Sequence, residues 1–119
     1  MSIIKIKVLV ENKMIKQHLT TTAIFQESTI KYQEEDKTKV ILNLKNSSLI
    51  RENDKLRMNY LFKKNKETKG NVFFKEYQKS IDIILKTTSI KKKNKNIEIR
   101  FTIENDEFLY RIEEIKWVY

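Results

Sequence analysis

Apolar and polar residues alternate along most of the chain, and the alternation breaks only at short polar clusters. Ile6, Val8 and Val10 share one parity near the start, and Ile99, Phe101 and Ile103 share one near the end. A period of two is the signature of a strand with one buried face. Strands are predicted at roughly 3–10, 14–26, 29–34, 38–45, 48–52, 55–63, 70–75, 80–89, 96–104 and 107–118, rich in Ile, Val, Phe, Tyr and Thr. No segment has the i, i+3, i+4, i+7 spacing of a long helix.

Consecutive strands bring their apolar faces together. A turn at Asn12-Lys13 sets Val10 opposite Ile15 and Ile6 opposite Leu19. Turns at Glu27-Ser28 and Glu35-Asp36-Lys37 set Phe25 opposite Ile30, and Tyr32 opposite Val40. Asn46-Ser47 sets Leu44 opposite Leu49, and Asn53-Asp54 sets Leu49 opposite Met58. The loop 63–71 lets Phe62 face Val72, and Tyr77-Gln78 sets Phe74 opposite Ile81. Lys91–Lys95 reads as a long polar loop. Asn105-Asp106 sets Ile103 opposite Phe108, Phe101 opposite Tyr110 and Ile99 opposite Ile112. A slip of one residue would send the apolar set into water.

Gly70 is the only glycine and there is no proline. Primed hairpin turns need positive φ, which asparagine tolerates better than most residues. Asn12, Asn46, Asn53 and Asn105 are therefore read as glycine substitutes. The fold class is all-β: an antiparallel up-and-down meander of about 8–10 strands. An open sheet of that length would leave two edges and a bare apolar face, so closure into a calycin- or lipocalin-like barrel is expected. The apolar parity shifts after Ile112, which predicts a bulge at Glu113-Glu114 that returns Trp117 to the interior.

Residues 1–119 read as one domain, with no cysteine for disulfides or thiolate metal sites. The stretch Met1–Lys7 alternates apolar and basic residues, unlike a signal peptide, and no run suits a membrane helix. A cytoplasmic protein with no membrane partner is expected. The net charge of +9 invites a nucleic-acid reading. Against it, 21 of the 25 basic residues are lysine, and Lys, Asn and Ile, all with A/T-rich codons, make up 48 of the 119 residues.

The order of several short segments resembles the YwiB-like family, uncharacterised small bacterial proteins with a calycin-type barrel. The segments are Ile30–Glu35, Thr38-Lys39-Val40, Leu49-Ile50-Arg51 before Met58 and Phe62, Thr68-Lys69-Gly70, and Ile83–Thr88. They span about residues 20 to 118, though glycines usual in the family are lost near Phe25 and Asn53. The resemblance implies the barrel and brings no activity with it.

Candidate chemistry is sparse. His18, the one histidine, has outward parity opposite Lys7, and no triad partner can be placed. No metal site or cofactor is expected, and Glu34-Glu35-Asp36 reads as a solvated acidic turn. Arg51 has inward parity near one mouth, as an anchor for an anionic head group or as the partner of a nearby carboxylate. Gln17, Thr21, Tyr32, Tyr60, Thr87 and Tyr110 are the other inward polar residues. The leading expectation is non-catalytic binding of a small anionic or amphipathic ligand inside the barrel. Whether bulky side chains fill the interior instead stays open. The alternative is a nucleic-acid or ribonucleoprotein accessory module using Lys63, Lys64, Lys66, Lys91, Lys92, Lys93 and Lys95, with Phe73, Phe74 or Tyr77 stacking on bases. Leu61 opposite Phe73, with Ile84 diagonal, would form an outer apolar patch for a homodimer. Arg100 opposite Arg111 and Glu98 opposite Glu113 would form a crossed surface network.

Overall fold

The computed structural model describes residues 1–115, so Trp117 lies outside the described residues. Ten strands follow one another: β1 (Ser2–Glu11), β2 (Lys16–Gln26), β3 (Thr29–Gln33), β4 (Lys39–Asn43), β5 (Ser48–Glu52), β6 (Leu56–Leu61), β7 (Lys66–Phe74), β8 (Lys79–Lys93), β9 (Asn96–Ile103) and β10 (Asp106–Ile115). Each pairs antiparallel with the next, and β10 pairs with β1 to close the barrel. No helix occurs among the described residues, so none there is long and apolar enough to cross a membrane.

The inward faces are as expected, but the pairing slides along them. The β2–β3 and β3–β4 registers agree with the sequence reading: Phe25 faces Ile30 and Tyr32 faces Val40. Elsewhere the register moves by two residues. Val10 pairs with Gln17, Leu42 with Leu49, Leu49 with Tyr60, Val72 with Ile81 and Phe101 with Phe108. Between β6 and β7 it moves by four, so Met58 faces Val72. An even slide leaves every side chain on its own face, and so costs no burial.

Turn chemistry sets the phase. Asn12 does not substitute for glycine; its Oδ1 accepts hydrogen bonds from the Met14 and Ile15 amides at 2.9 and 2.8 Å. Asn53 does the same for Lys55 and Leu56, and Asn43 for Lys45 and Asn46. These side-chain turns stretch a two-residue connection to four residues. Asn46 likewise accepts from the Ser48 amide, and the positive φ in that turn falls on Ser47. Of the four asparagines proposed as glycine substitutes, only Asn105 has positive φ, together with Glu104.

β10 runs in continuous register against β1 through Ile115, with no bulge at Glu113-Glu114. The bulge is in β8, between Thr87 and Ser89. Lys91–Lys93 belong to β8, leaving a two-residue turn at Asn94-Lys95. Leu61 faces Ser48, Phe73 faces Arg57 and Ser80, and Ile84 faces Lys69, so the expected outer apolar patch is broken up by polar neighbours. Slid by two, Glu98 faces Arg111 directly, and Arg100, Arg111, Glu98 and Glu113 join in one network with separations of 3.1–3.9 Å. This relieves the like-charge pairs; an exposed network of this kind contributes about 1 kcal/mol or less per pair.

One end of the barrel is solid. Ile6, Ile30, Leu42, Phe62, Leu85, Ile97, Ile99 and Ile112 are almost wholly buried there. Beyond the bulge, side chains of the β8–β9 tip reach β2 and the β4–β5 turn at this end. Lys92 Nζ donates to the Leu44 carbonyl, and Lys95 Nζ lies 5.3 Å from the centre of the Phe25 ring. Thr87 is buried near the bulge, and its hydroxyl has no hydrogen-bond partner among the described residues. An unpaired buried hydroxyl costs about 1–3 kcal/mol. Thr87→Val is therefore expected to raise stability by about 1 kcal/mol in urea unfolding. A loss of that size would show that the hydroxyl is paired.

Candidate functional site: the open half of the barrel

The other half of the barrel is hollow. The turns after β1, β3, β5, β7 and β9 surround its mouth, and below them lies a cavity of about 550 Å³. Strand alternation aims Val8, Leu19, Leu49, Met58, Phe101 and Phe108 into it, making the wall mostly apolar. Tyr60 stands edge-on to Phe101, with ring centres 6.4 Å apart, and Phe101 stacks on Phe108 at 5.2 Å.

Two polar pairs break this wall. Tyr32 on β3 and Tyr110 on β10 meet across the lumen, with hydroxyl oxygens 2.6 Å apart. Burial raises the pKa of both phenols, so both are neutral at physiological pH. A pair of neutral hydroxyls has two hydrogens and spends one on the mutual bond. Among the described residues the second has no acceptor.

Nearer the mouth, Arg51 Nε donates to Glu34 Oε1 at 3.0 Å, and Nη2 bonds both oxygens of the same carboxylate. Arg51 Nη1 also rests 3.6 Å from the Met58 sulfur. Arg51 thus faces inward at one mouth, as expected, and its charge is met by a carboxylate. The turn carrying Glu34 is stiffened by its own bonds. Thr38 holds the Asp36 carboxyl below its usual range through side-chain and backbone hydrogen bonds, and Asn53 Nδ2 donates to Thr38 Oγ1 at 3.1 Å.

Of the inward polar residues proposed from the sequence, Arg51, Gln17, Tyr32, Tyr60 and Tyr110 line this cavity. Thr21 and Thr87 do not; Thr87 is sealed into the solid half. His18 is exposed, as expected, and it touches the cavity rim while pairing with Leu9, not Lys7. Glu34 was missed as a site residue. Its signal was present, because it continues the inward parity of Ile30 and Tyr32 beyond the end of β3.

The expected polyanion site is split. Lys63–Lys66 lie at the closed end, at the start of β7, whereas Phe73 and Phe74 end that strand at the mouth. The gap is roughly 20 Å at about 3.3 Å per residue. Tyr77, in the next turn, is likewise at the mouth, so none of the three can stack on a base held by those lysines.

No protein-family model matches the chain, and no curated protein is similar enough in sequence to match it. Its fold is similar to that of the ywiB protein from Bacillus subtilis, with a TM-score of 0.60 at 14% identity over 96% of this chain and 91% of that one. That is a likeness of fold, and it agrees with the barrel implied by the resemblance read from the sequence.

Proposed function

We propose that the barrel binds a small amphipathic molecule, without catalysis, in its open half. The observation that carries this reading is the 550 Å³ cavity, whose apolar wall is interrupted by two buried or half-buried polar pairs. Ligand cavities commonly have about this size and this mixture. The ligand's apolar part would lie among Leu19, Leu49, Met58 and Phe108. Its polar part would offer an acceptor to the spare hydroxyl hydrogen of the Tyr32–Tyr110 pair.

The surroundings favour a neutral amphiphile over an anionic one. Glu34 already neutralises Arg51, and Glu35 and Asp36 add negative charge to the lining. An anion would have to displace a bidentate carboxylate and leave it unpaired, which is costly. The absence of cysteine suits a reducing cytosol as the setting.

Native mass spectrometry of the protein purified from its own host tests the reading. A non-covalent mass increment, released on denaturation, is expected. Val10→Trp, which would project an indole from the cavity wall, is expected to abolish the increment while the barrel still melts cooperatively. A bare polypeptide mass, or an increment indifferent to Val10→Trp, would refute it.

A further inference from the structure

We infer that the closed end of the barrel is a docking surface for the phosphodiester backbone of double-stranded nucleic acid. The observation is a sorting of charge. The turns of the closed end and their flanks hold Lys45, Lys63-Lys64-Asn65-Lys66 and Lys91-Lys92-Lys93-Asn94-Lys95; the acids over the same stretches are Glu27 in a turn and Glu67 and Glu98 in the flanks. The turns of the mouth hold Glu34-Glu35-Asp36, Asp54, Glu76 and Glu104 against Lys13, Lys37, Lys55 and Lys75. A/T-rich codon usage raises lysine everywhere. It does not sort lysine and carboxylate to opposite ends of a folded barrel.

The sorted charge is also free. Lys95 lies 3.6 Å from Glu114, and Lys92 is spent on the Leu44 carbonyl. Glu67, next to Lys66, is held by Lys86 at 3.4 Å. Among the described residues, Lys45, Lys63, Lys64, Lys66, Lys91 and Lys93 are exposed with no carboxylate within ion-pair distance. Clustered, unneutralised lysines on one pole are the electrostatic footprint of a polyanion site.

The composition of the pole selects among polyanions. Lysines are point charges without the arginine fork that reads guanine, so the contact is to backbone and not to base edges. Single strands are held by aromatic platforms; among the described residues Phe73, Phe74 and Tyr77 are at the far end, and the Phe25 ring is covered by Lys95. Membrane docking needs an apolar insertion beside the charge; Leu44 and Phe62 in these turns are buried, while the exposed apolar residues at this end, Met1, Ile3 and Ile24, make anionic vesicles the competing ligand that the test must measure. Repulsion between the acidic rim and the same polyanion turns the barrel end-on, with the cavity mouth facing away.

Fluorescence anisotropy with a mixed-sequence duplex of about 20 base pairs tests this. Wild-type binding should fall with salt at a log–log slope of about −4, from roughly −0.9 per phosphate neutralised. A variant with Lys63, Lys64, Lys66, Lys91 and Lys93 all changed to Gln should lose at least tenfold in affinity at about 50 mM salt. A charge-matched variant changing Lys13, Lys16, Lys37, Lys55 and Lys79 at the mouth to Gln should lose less than threefold. Equal losses in the two variants would reduce the effect to net charge and overturn the site. A flat salt slope, no duplex binding at 50 mM salt, or tighter binding to vesicles of anionic phospholipid than to the duplex would overturn it as well. The wild-type salt slope does not depend on the variants folding.

Discussion

Phe62→Ala is expected to cost about 3–5 kcal/mol of folding free energy, the range for deleting a buried ring. Phe62 is 1% exposed and packs 4.9 Å from the Phe101 ring centre and 6.2 Å from that of Tyr60. It sits where the solid half of the barrel meets the hollow half. Below it are the fully buried aliphatics; above it Phe101 and Tyr60 form the cavity wall. Removing the ring loses its transfer energy and leaves a void that a closed barrel, with no free edge, can collapse only in part. Urea unfolding followed by circular dichroism measures this. A loss under about 1 kcal/mol would mean that the lower half is not packed as described, and that the cavity runs the length of the barrel.

Gly70→Ala is expected to destabilise by about 1–3 kcal/mol through overpacking, offset by up to about 1 kcal/mol from reduced backbone entropy in the unfolded chain. Gly70 does not serve a turn. It lies within β7 opposite Ile83, and its φ is not positive. What it supplies is room. A Cβ there would stand 2.9 Å from Tyr60 Cδ1 and 3.3 Å from the Asn59 carbonyl oxygen. Tyr60 cannot simply rotate aside, because Phe62 and Phe101 both meet its ring at steep angles of 88° and 68°. The ring must shift, and it lines the cavity, so the substitution should also change the cavity's shape. Unchanged or increased stability in the same unfolding experiment would show that the Tyr60 ring has slack.

These two residues mark what the sequence could and could not reveal. Parity was legible except late in β8 and β10: the alternation of Ile6 and Val8, or Phe101 and Ile103, states which side faces in, but the parity shift expected at Glu113-Glu114 lies between Thr87 and Ser89. The phase of pairing was not, because sliding by two keeps every face and is decided by local turns. Asn12 and Asn53 looked like positive-φ residues, yet they act through side-chain oxygens that hold four-residue turns. At the β9–β10 turn Asn105 does have positive φ, but the turn centres on Glu104-Asn105 in place of Asn105-Asp106, so Glu98 and not Arg100 faces Arg111. Arg51 was legible because an inward charge in an apolar row stands out. Its partner Glu34 was hidden, since three consecutive acids on a turn look like solvent-facing decoration. The division of the interior into a plug and a hollow could not be read at all. It depends on which inward side chains meet across the lumen, and parity along a single strand does not say that.

The β8–β9 tip, which reaches β2 and the β4–β5 turn at one end through Lys95 and Lys92, has a consequence for exchange. Among the described residues that end is packed solid, so a ligand of the kind proposed would enter and leave by the same mouth. Entry and exit then cross the same bottleneck beside Arg51 and Glu34. Widening or narrowing that bottleneck would change arrival and departure by one common factor, setting how long a guest stays without changing how strongly it is held.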